Sequence, residues 1–548
     1  MDQRLESLET EFVNGFLEFH PGYALFAGLH DHDSKLEDLS RESVARYCIA
    51  LDQLRARALA LGGLGRADEV ERDVLLSMIE GTLFEYRRVR PWERDPYSYA
   101  EILSSQLNLI VIFDYAPPED RLRAVIAKEK QIPRFLETAR ENLRPTAPIL
   151  VNYGVRGTEG ALSLVRKDLP AVFTGITSPA LRREFEETTE VAARSIESFI
   201  RWLNDEYPAG DERGYALGRE VYAGWLAARE RITTPIEKLE SWALDSIEAT
   251  REELRRQATR IDPAAEPAAI VARITSDHPP TGKVVREATR ISEEVYGWLV
   301  AKDLVTIPKP DRVLIADTPE FMRWSFGSMW TPGPYETAPV RATFYATDAD
   351  PSWTRKKQDE HLTAFCYRGL ENLAVHEAYP GHYVQGLHQN RADSPVRRTF
   401  WWGVFGEGWA HYCELMAVEE GFGHAAPEVA IVQLQEALNR LCRFVNGIRL
   451  HTRPGWDFDQ GTRFFQDRAW VAEAVARAEC ERGAFDPFYL RYTMGKKEIL
   501  ELREECLEAL GARFDLKAFH DALLGCGSGP MPAMRALTRL RLGIDPSS

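Results

Sequence analysis

The stretch that decides the reading is His376-Glu377-Ala378-Tyr379-Pro380-Gly381-His382, followed by Gly406-Glu407-Gly408-Trp409-Ala410. Two histidines, a glutamate beside the first, and a later helical glutamate are the residue types that hold and use a catalytic zinc ion. The spacing departs from the usual H-E-x-x-H helix. There the histidines stand four apart, about 40° from one another around the axis, and share a face. Here they stand six apart, about 600° of winding, which puts them on different faces of an unbroken helix. Pro380-Gly381 lies between them. Proline removes a backbone donor and clashes with the preceding turn, and glycine adopts conformations closed to other residues. The pair predicts a helix that breaks or bulges after Tyr379 and brings His382 back toward His376.

A second helix is expected from about Phe405 to Glu420, stopped by Gly421-Phe422-Gly423. A catalytic zinc takes three protein ligands and a water. His376 and His382 would supply imidazole nitrogens and Glu407 a carboxylate oxygen. One bound zinc ion lowers the pKa of its water to around 7, and Glu377 is placed to take that proton. Glu407, His411 and Glu414 recur at i, i+4 and i+7, hence on one face. Glu414 is read as the acceptor that fixes a ligand histidine's tautomer. His411 is open between fourth ligand, substrate contact and mere neighbour. Trp401, Trp402 and Trp409 are read as core and pocket wall, and His388 as structural.

Away from the motif the pattern is helical. Leu5, Leu8, Phe12, Phe16 and Leu17 repeat at helical spacing until His20-Pro21-Gly22, and Val44, Tyr47, Leu51, Leu54 and Ala58 do so after Ser40. Leu61-Gly62-Gly63-Leu64-Gly65 interrupts the second run. Long helices return between Pro118 and Thr259, with a boundary at Tyr207-Pro208-Ala209-Gly210. Thr233-Thr234-Pro235 reads as a helix start with threonine at the cap, and helices are expected over 235–259 and 281–302. The cluster His30-Asp31-His32-Asp33 reads as loop and cap. Past Pro308-Lys309-Pro310 the texture changes. Arg312–Ile315 and Ala342–Thr347 read as strands, separated by the turn-rich Phe326–Tyr335. A small sheet beside the metal helix either binds an extended substrate along its edge or only packs. Helices resume over 427–450, 459–482, 496–511 and 515–524. The expected fold class is mainly α: a large multi-helix zincin-like fold with a small β-sheet next to the active-site helix. No linker divides the chain, so residues 1–548 read as one catalytic unit. Its parts are a helical N-terminal part to about 303, the sheet and metal-site helices at about 304–425, and a C-terminal helical part at about 426–548.

With 548 residues, 44% of them hydrophobic, the chain can bury a sizeable core. A formal net charge of −16 argues against nucleic acid or an anionic membrane as partner. Seven dispersed cysteines without a CxxC pair suit a reducing compartment. The charged N-terminus has no apolar signal core and no stretch is long enough to span a membrane, so a cytoplasmic location is expected.

Nearly the whole chain resembles the bacterial domain of unknown function 885 family, generally regarded as metallopeptidase-like. Phe16–Pro21, Gly28–Asp31, Ile232–Glu237, His376–His382 and Glu407–Tyr412 carry the resemblance. Glu407-Gly408-Trp409-Ala410 is also similar to the E-G-F-A of aminopeptidase N-type enzymes, which implies the third zinc ligand for Glu407. Arg491–Lys496 resembles the family block containing A-Y-K-I-G, which implies Tyr492 as hydroxyl donor to an oxyanion. The chain departs from the family where P-G-Q reads Pro487-Phe488-Tyr489 and where His411 replaces an apolar residue. Arg443, Arg449, His451 and Arg453 are candidates to grip a substrate carboxylate.

The function expected is that of a zinc-dependent hydrolase, a metallopeptidase reading in which a peptide or other small amide is cut. The alternatives are a non-hydrolytic enzyme using iron or manganese on a small metabolite, since two histidines and a carboxylate also suit iron(II), and a non-catalytic binding protein on the same fold. Glu377, not needed to hold a metal, argues against the last.

Overall fold

The computed structural model describes residues 1–208, 210–309, 311–319, 323 and 327–544. Of the segments singled out above, Ala209, Pro310 and Phe326 lie outside the described residues. The described chain forms two compact units. The first comprises Met1–Arg229 with two returns, Pro332–Arg341 and Ser394–Thr399; the second comprises Glu230–Thr331, Ala342–Asp393 and Phe400–Ser548. The first boundary therefore falls inside the stretch read from sequence as one helical N-terminal part.

In the first unit, helical spacing becomes helix. Gln3–Phe19 starts where the Asp2 side chain accepts the Arg4 N–H and buries Leu5, Leu8, Phe12, Val13 and Leu17. Arg41–Leu59 starts at Ser40, whose hydroxyl accepts the Ser43 N–H, and Arg66–Phe84 follows the glycine-rich interruption. The return at 394–399 is pinned by a buried pair. Arg397 donates to both oxygens of Glu71 at 2.7 Å, and Ser394 donates to Glu9 at 2.7 Å. His30 belongs to a turn of 3₁₀ helix, His30–His32. It bonds Asp33 at 3.0 Å and Glu336 at 3.1 Å and stacks on Tyr115.

In the second unit the sheet has three strands: β1 (Leu314–Asp317), β2 (Gly327–Trp330) and β3 (Thr343–Ala346). β3 is central, parallel to β1 with Leu314 opposite Thr343, and antiparallel to β2 with Gly327 opposite Ala346. All four β3 residues are buried, as a strand covered on both faces requires. The sheet adjoins the first motif helix: a side chain at Gly327 would meet Leu373 of that helix at 3.3 Å.

Around the sheet we number α1 (Ile236–Ile261), α2 (Val284–Lys302), α3 (Tyr367–Glu377), α4 (His382–Gln389), α5 (Gly403–Glu419), α6 (Pro427–Thr452), α7 (Glu473–Phe485) and α8 (Arg491–Leu510). Three expectations shift. α1 is capped by Pro235 without a side-chain hydrogen bond from threonine. The helix expected over 459–482 is two, Phe458–Ala469 and α7, separated at Trp470, which stands in the left-handed region at φ 54°. The helix expected from 496 starts five residues earlier, at Arg491. α5 and α8 pack closely at two glycines: a Cβ on Gly495 would stand 2.6 Å from the Gly408 Cα and closer still to the Val404 oxygen. That contact brings α8 against the helix that carries Glu407.

Candidate metal centre

α3 begins where the Cys366 sulfur accepts the Gly369 N–H, and it delivers His376 and Glu377 in its last turn. The helix then breaks two residues earlier than the sequence implied. The N–H groups of Ala378 and Tyr379 both reach the Ala374 carbonyl at 3.0 Å, and the Gly381 N–H reaches Val375 at 3.0 Å. Tyr379-Pro380 is a cis peptide. α4 starts at His382, so this histidine opens a new helix and is not bound by the winding of the old one. Gly381 is required by space: a Cβ there would stand 2.5 Å from the Val375 oxygen and closer still to the His376 oxygen. The turn is fixed from outside as well. The Trp409 indole donates to the Pro380 carbonyl at 2.9 Å, and the Tyr379 hydroxyl accepts the Val313 N–H at 2.9 Å.

As a result the rings of His376 and His382 meet edge to face, centroids 4.8 Å apart. Glu407, one turn into α5, faces both: its Oε2 lies 3.6 Å from His376 Nε2 and 3.4 Å from His382 Nε2. Ligands about 2.1 Å from a tetrahedral zinc stand about 3.4 Å from one another. The two separations from Glu407 match that spacing, and all three donor atoms lie within 4.8 Å of one another. Among the described residues, this is the group of three that could hold a metal ion.

The histidine tautomers are set behind the group. His376 Nδ1 donates to Glu414 at 2.7 Å, which turns Nε2 toward Glu407. Glu414 is fully buried, and each of its oxygens takes two donors. Oε1 accepts His376 and Arg440 (2.9 Å), and Oε2 accepts His411 and Arg440, both at 3.1 Å. Burial opposes ionisation of Glu414, but Arg440 and the two histidines outweigh it and hold the carboxyl well below the usual carboxylate range. His411 goes the other way. Burial, then the nearby charge of Lys496, pushes its pKa down to about 3, so it is a neutral ring donating to Glu414. At His376 burial also acts downward, but Glu407 and Glu414 together lift it to about 10. Carboxylates arranged to hold a proton on a buried imidazole suit a dication in its place.

The remaining candidates sort by contact. Glu377 is buried beside His376. Tyr492, at the start of α8, is buried with the guanidinium carbons of Arg440, Arg443 and Arg491 5.5–5.7 Å from its ring centre. Trp401 stands 5.3 Å from the His382 ring and is 38% exposed, while Trp402 and Trp409 are fully buried. The structure does not bring Arg443, Arg449, His451 and Arg453 to the donor group. Arg443 is paired with Glu479 at 2.6 and 2.7 Å, Arg449 with Glu240 at 2.6 Å, His451 with the Gly483 carbonyl at 2.7 Å, and Arg453 lies exposed 3.9 Å from Glu240. Arg443, Arg449 and His451 stand at different angles around α6 and cannot all face one centre. His388 bonds the Thr306 carbonyl at 2.7 Å. Sequence reasoning missed Arg440 and Lys496. Arg440 is four residues after Glu436 on a helix rich in polar residues, and nothing local marks it.

Residues 21–537 match the profile of a family described as "Bacterial protein of unknown function (DUF885)". No curated protein matches the chain. Two solved structures share the fold. A "putative lipoprotein of unknown function" from Shewanella oneidensis is 24% identical, with a TM-score of 0.80 over 97% of this chain and 99% of that one. A "putative lipoprotein" from Colwellia psychrerythraea is 18% identical, with a TM-score of 0.81 over 99% of each. These descriptions correct the cytoplasmic location expected from the sequence, since chains of this fold are described as lipoproteins. The cysteine argument behind that expectation also falls away. All seven thiols are buried, so they pack as small apolar side chains whatever the compartment. Among the described residues no helix is long and apolar enough to cross a membrane.

Proposed function

This chain belongs to the bacterial DUF885 family, and from the geometry of its donor group we propose that it is a single-zinc hydrolase of a peptide or other amide bond. The observation that carries the reading is the convergence of His376, His382 and Glu407, with both histidine nitrogens 3.4–3.6 Å from one Glu407 oxygen. A zinc ion held there supplies a Lewis acid for the substrate carbonyl and acidity for a water. Glu377 is the residue with no part in holding the ion. It follows His376 directly, takes the water's proton and passes it to the leaving amine. Glu414, fixed by Arg440 and His411, keeps the proton on His376 Nδ1 and the Nε2 lone pair toward the group. Tyr492 supports the carbonyl oxygen as charge develops. Its phenolic hydroxyl is a donor that can be given to that oxygen. The lipoprotein descriptions of both structural neighbours support a place in the cell envelope.

The test is hydrolysis of N-acylated peptides and amides by zinc-loaded protein, beside Glu377→Gln. The expected result is a loss of about 10²–10⁴-fold in kcat for the variant, with zinc content unchanged. Full turnover by Glu377→Gln would remove the glutamate from the mechanism. Stoichiometric iron without zinc in protein purified with no added metal would favour the non-hydrolytic alternative.

A further inference from the structure

Basic groups crowd about Tyr492. Arg440, Arg443, Arg482 and Arg491 gather there with Glu414, Glu479 and Asp486. Two of the four are buried and each is forked onto a carboxylate of its own. Arg440 is forked onto Glu414 and Arg443 onto Glu479, with side chains 9% and 13% exposed. The other two share a single oxygen. Arg482 reaches Asp486 Oδ2 at 2.9 and 3.2 Å, and Arg491 reaches the same atom at 2.8 Å. Their side chains are 32% and 28% exposed. Arg491 thus bonds through Nη2 alone among the described residues, leaving the rest of its planar fork of donors for another partner.

Arg491 also lies beside the donor group. Its Cδ is where a Cβ on Gly403 would come within 3.0 Å. Gly403 is one turn before Glu407 on α5, about 6 Å along the axis. Glu407 is a further carboxylate whose charge acts on Arg491, and in the proposed enzyme that charge is taken by the metal. What remains is a half-buried guanidinium pair with one carboxylate between them. An uncompensated charge in such a place is costly unless an anion arrives to pair with it.

We propose that Arg491, assisted by Arg482, is the carboxylate clamp of the site, and that the substrate carries a carboxylate close to the bond that is cut. The inference rests on the hydrolase reading and names its substrate class: peptides or acyl-amino acids with a free carboxylate, either terminal or on a side chain. A planar guanidinium with spare parallel donors binds a carboxylate through two hydrogen bonds. The candidates read from sequence are paired with other partners, whereas Arg491 combines an open fork with a place beside Glu407.

The test uses three probes on zinc-loaded full-length protein: N-acetyl-Ala-Ala-Ala as the free acid, its C-terminal amide, and the amide with glutamate in the third position. Hydrolysis is followed in wild type, and binding is followed by calorimetry in Glu377→Gln, so that binding is read even if none of the probes is cut. The free acid should exceed the plain amide by at least about tenfold in kcat/KM and in affinity. Preference for the glutamate amide over the plain amide assigns the clamp to a side-chain carboxylate. Arg491→Met should erase the acid-to-amide ratio through KM, Arg491→Lys should restore part of it, and Arg453→Met should keep it. Equal handling of acid and amide, including no binding of either, overturns the clamp. So does an Arg491→Met that lowers both probes alike. Absence of cutting with acid-selective binding retained would count against the hydrolase reading alone.

Discussion

Replacing Gly381 by alanine tests the argument that a turn, and not a continuous helix, assembles the site. The added Cβ would stand 2.5 Å from the Val375 oxygen and closer to that of His376. Non-bonded heavy atoms rest at about 3.5–4.0 Å, so one side of the turn must move by about 1 Å or more. Both obstructing atoms are backbone, and the backbone belongs to the helix that carries the first ligand. Metal–ligand distances tolerate only about 0.2 Å. A shift of this size removes either His376 or His382 from reach of an ion held by the other two. Zinc affinity should fall by at least about 100-fold, the upper end of what losing an outer hydrogen-bonding partner costs. The assay is competition against a chelator of known affinity, with circular dichroism to establish that the variant is folded. Gly297→Ala is the control, because a Cβ there meets nothing within 4 Å. Unchanged zinc affinity in a folded Gly381→Ala protein would refute the reasoning about the turn.

Glu414→Gln keeps the shape and removes the charge. Zinc binding should weaken by about 10–100-fold, and the buried Arg440, left with Glu436 at 3.7 Å as its counter-charge, should lower stability, read by chelator competition and denaturant unfolding. Burial raises the Glu9 carboxyl to about 8, against the Ser394 hydrogen bond. Between its ordinary range near 4.5 and about 8 the folded state holds a proton that the unfolded state has released, so stability falls as pH rises through that window. Glu9→Gln should therefore raise the unfolding midpoint at pH 8 and converge with wild type near pH 4.5. The difference grows by at most about 1.4 kcal/mol per pH unit, and a constant offset at all pH values would contradict it. Gly15 and Gly297 lie on helices with nothing within 4 Å of an added Cβ, so alanine at each should add about 0.5–1 kcal/mol in thermal unfolding.

What was legible in the chain follows from how local each signal is. Helices with a clean apolar repeat, such as Gln3–Phe19 and Arg41–Leu59, are visible because the period and the capping residue sit in one window. β3 was legible for the same reason, three of its four residues being strand formers. β2, Gly327–Trp330, was not. Glycine and serine read as turn, and its strand state comes from pairing with β3, a tertiary contact. At the site, His376, Glu377 and His382 share one short motif, and Glu407 and Glu414 lie on one helical face, so their types and spacing identify them. The bond from His376 to Glu414 follows that reading. Arg440 comes from α6 and Lys496 from α8, and their link to Glu414 exists only once the helices pack. Arg449, His451 and Arg453 show the reverse error: an appealing residue type near the motif in sequence, bonded elsewhere in the fold.

The central claim is that His376, His382 and Glu407 hold one zinc ion. Elemental analysis of protein purified without added metal, beside Glu407→Gln prepared identically, tests it most directly. The account predicts one zinc per wild-type chain and well under one per variant chain. Wild-type protein that neither carries nor takes up zinc, or a Glu407→Gln variant that retains it in full, would contradict the account.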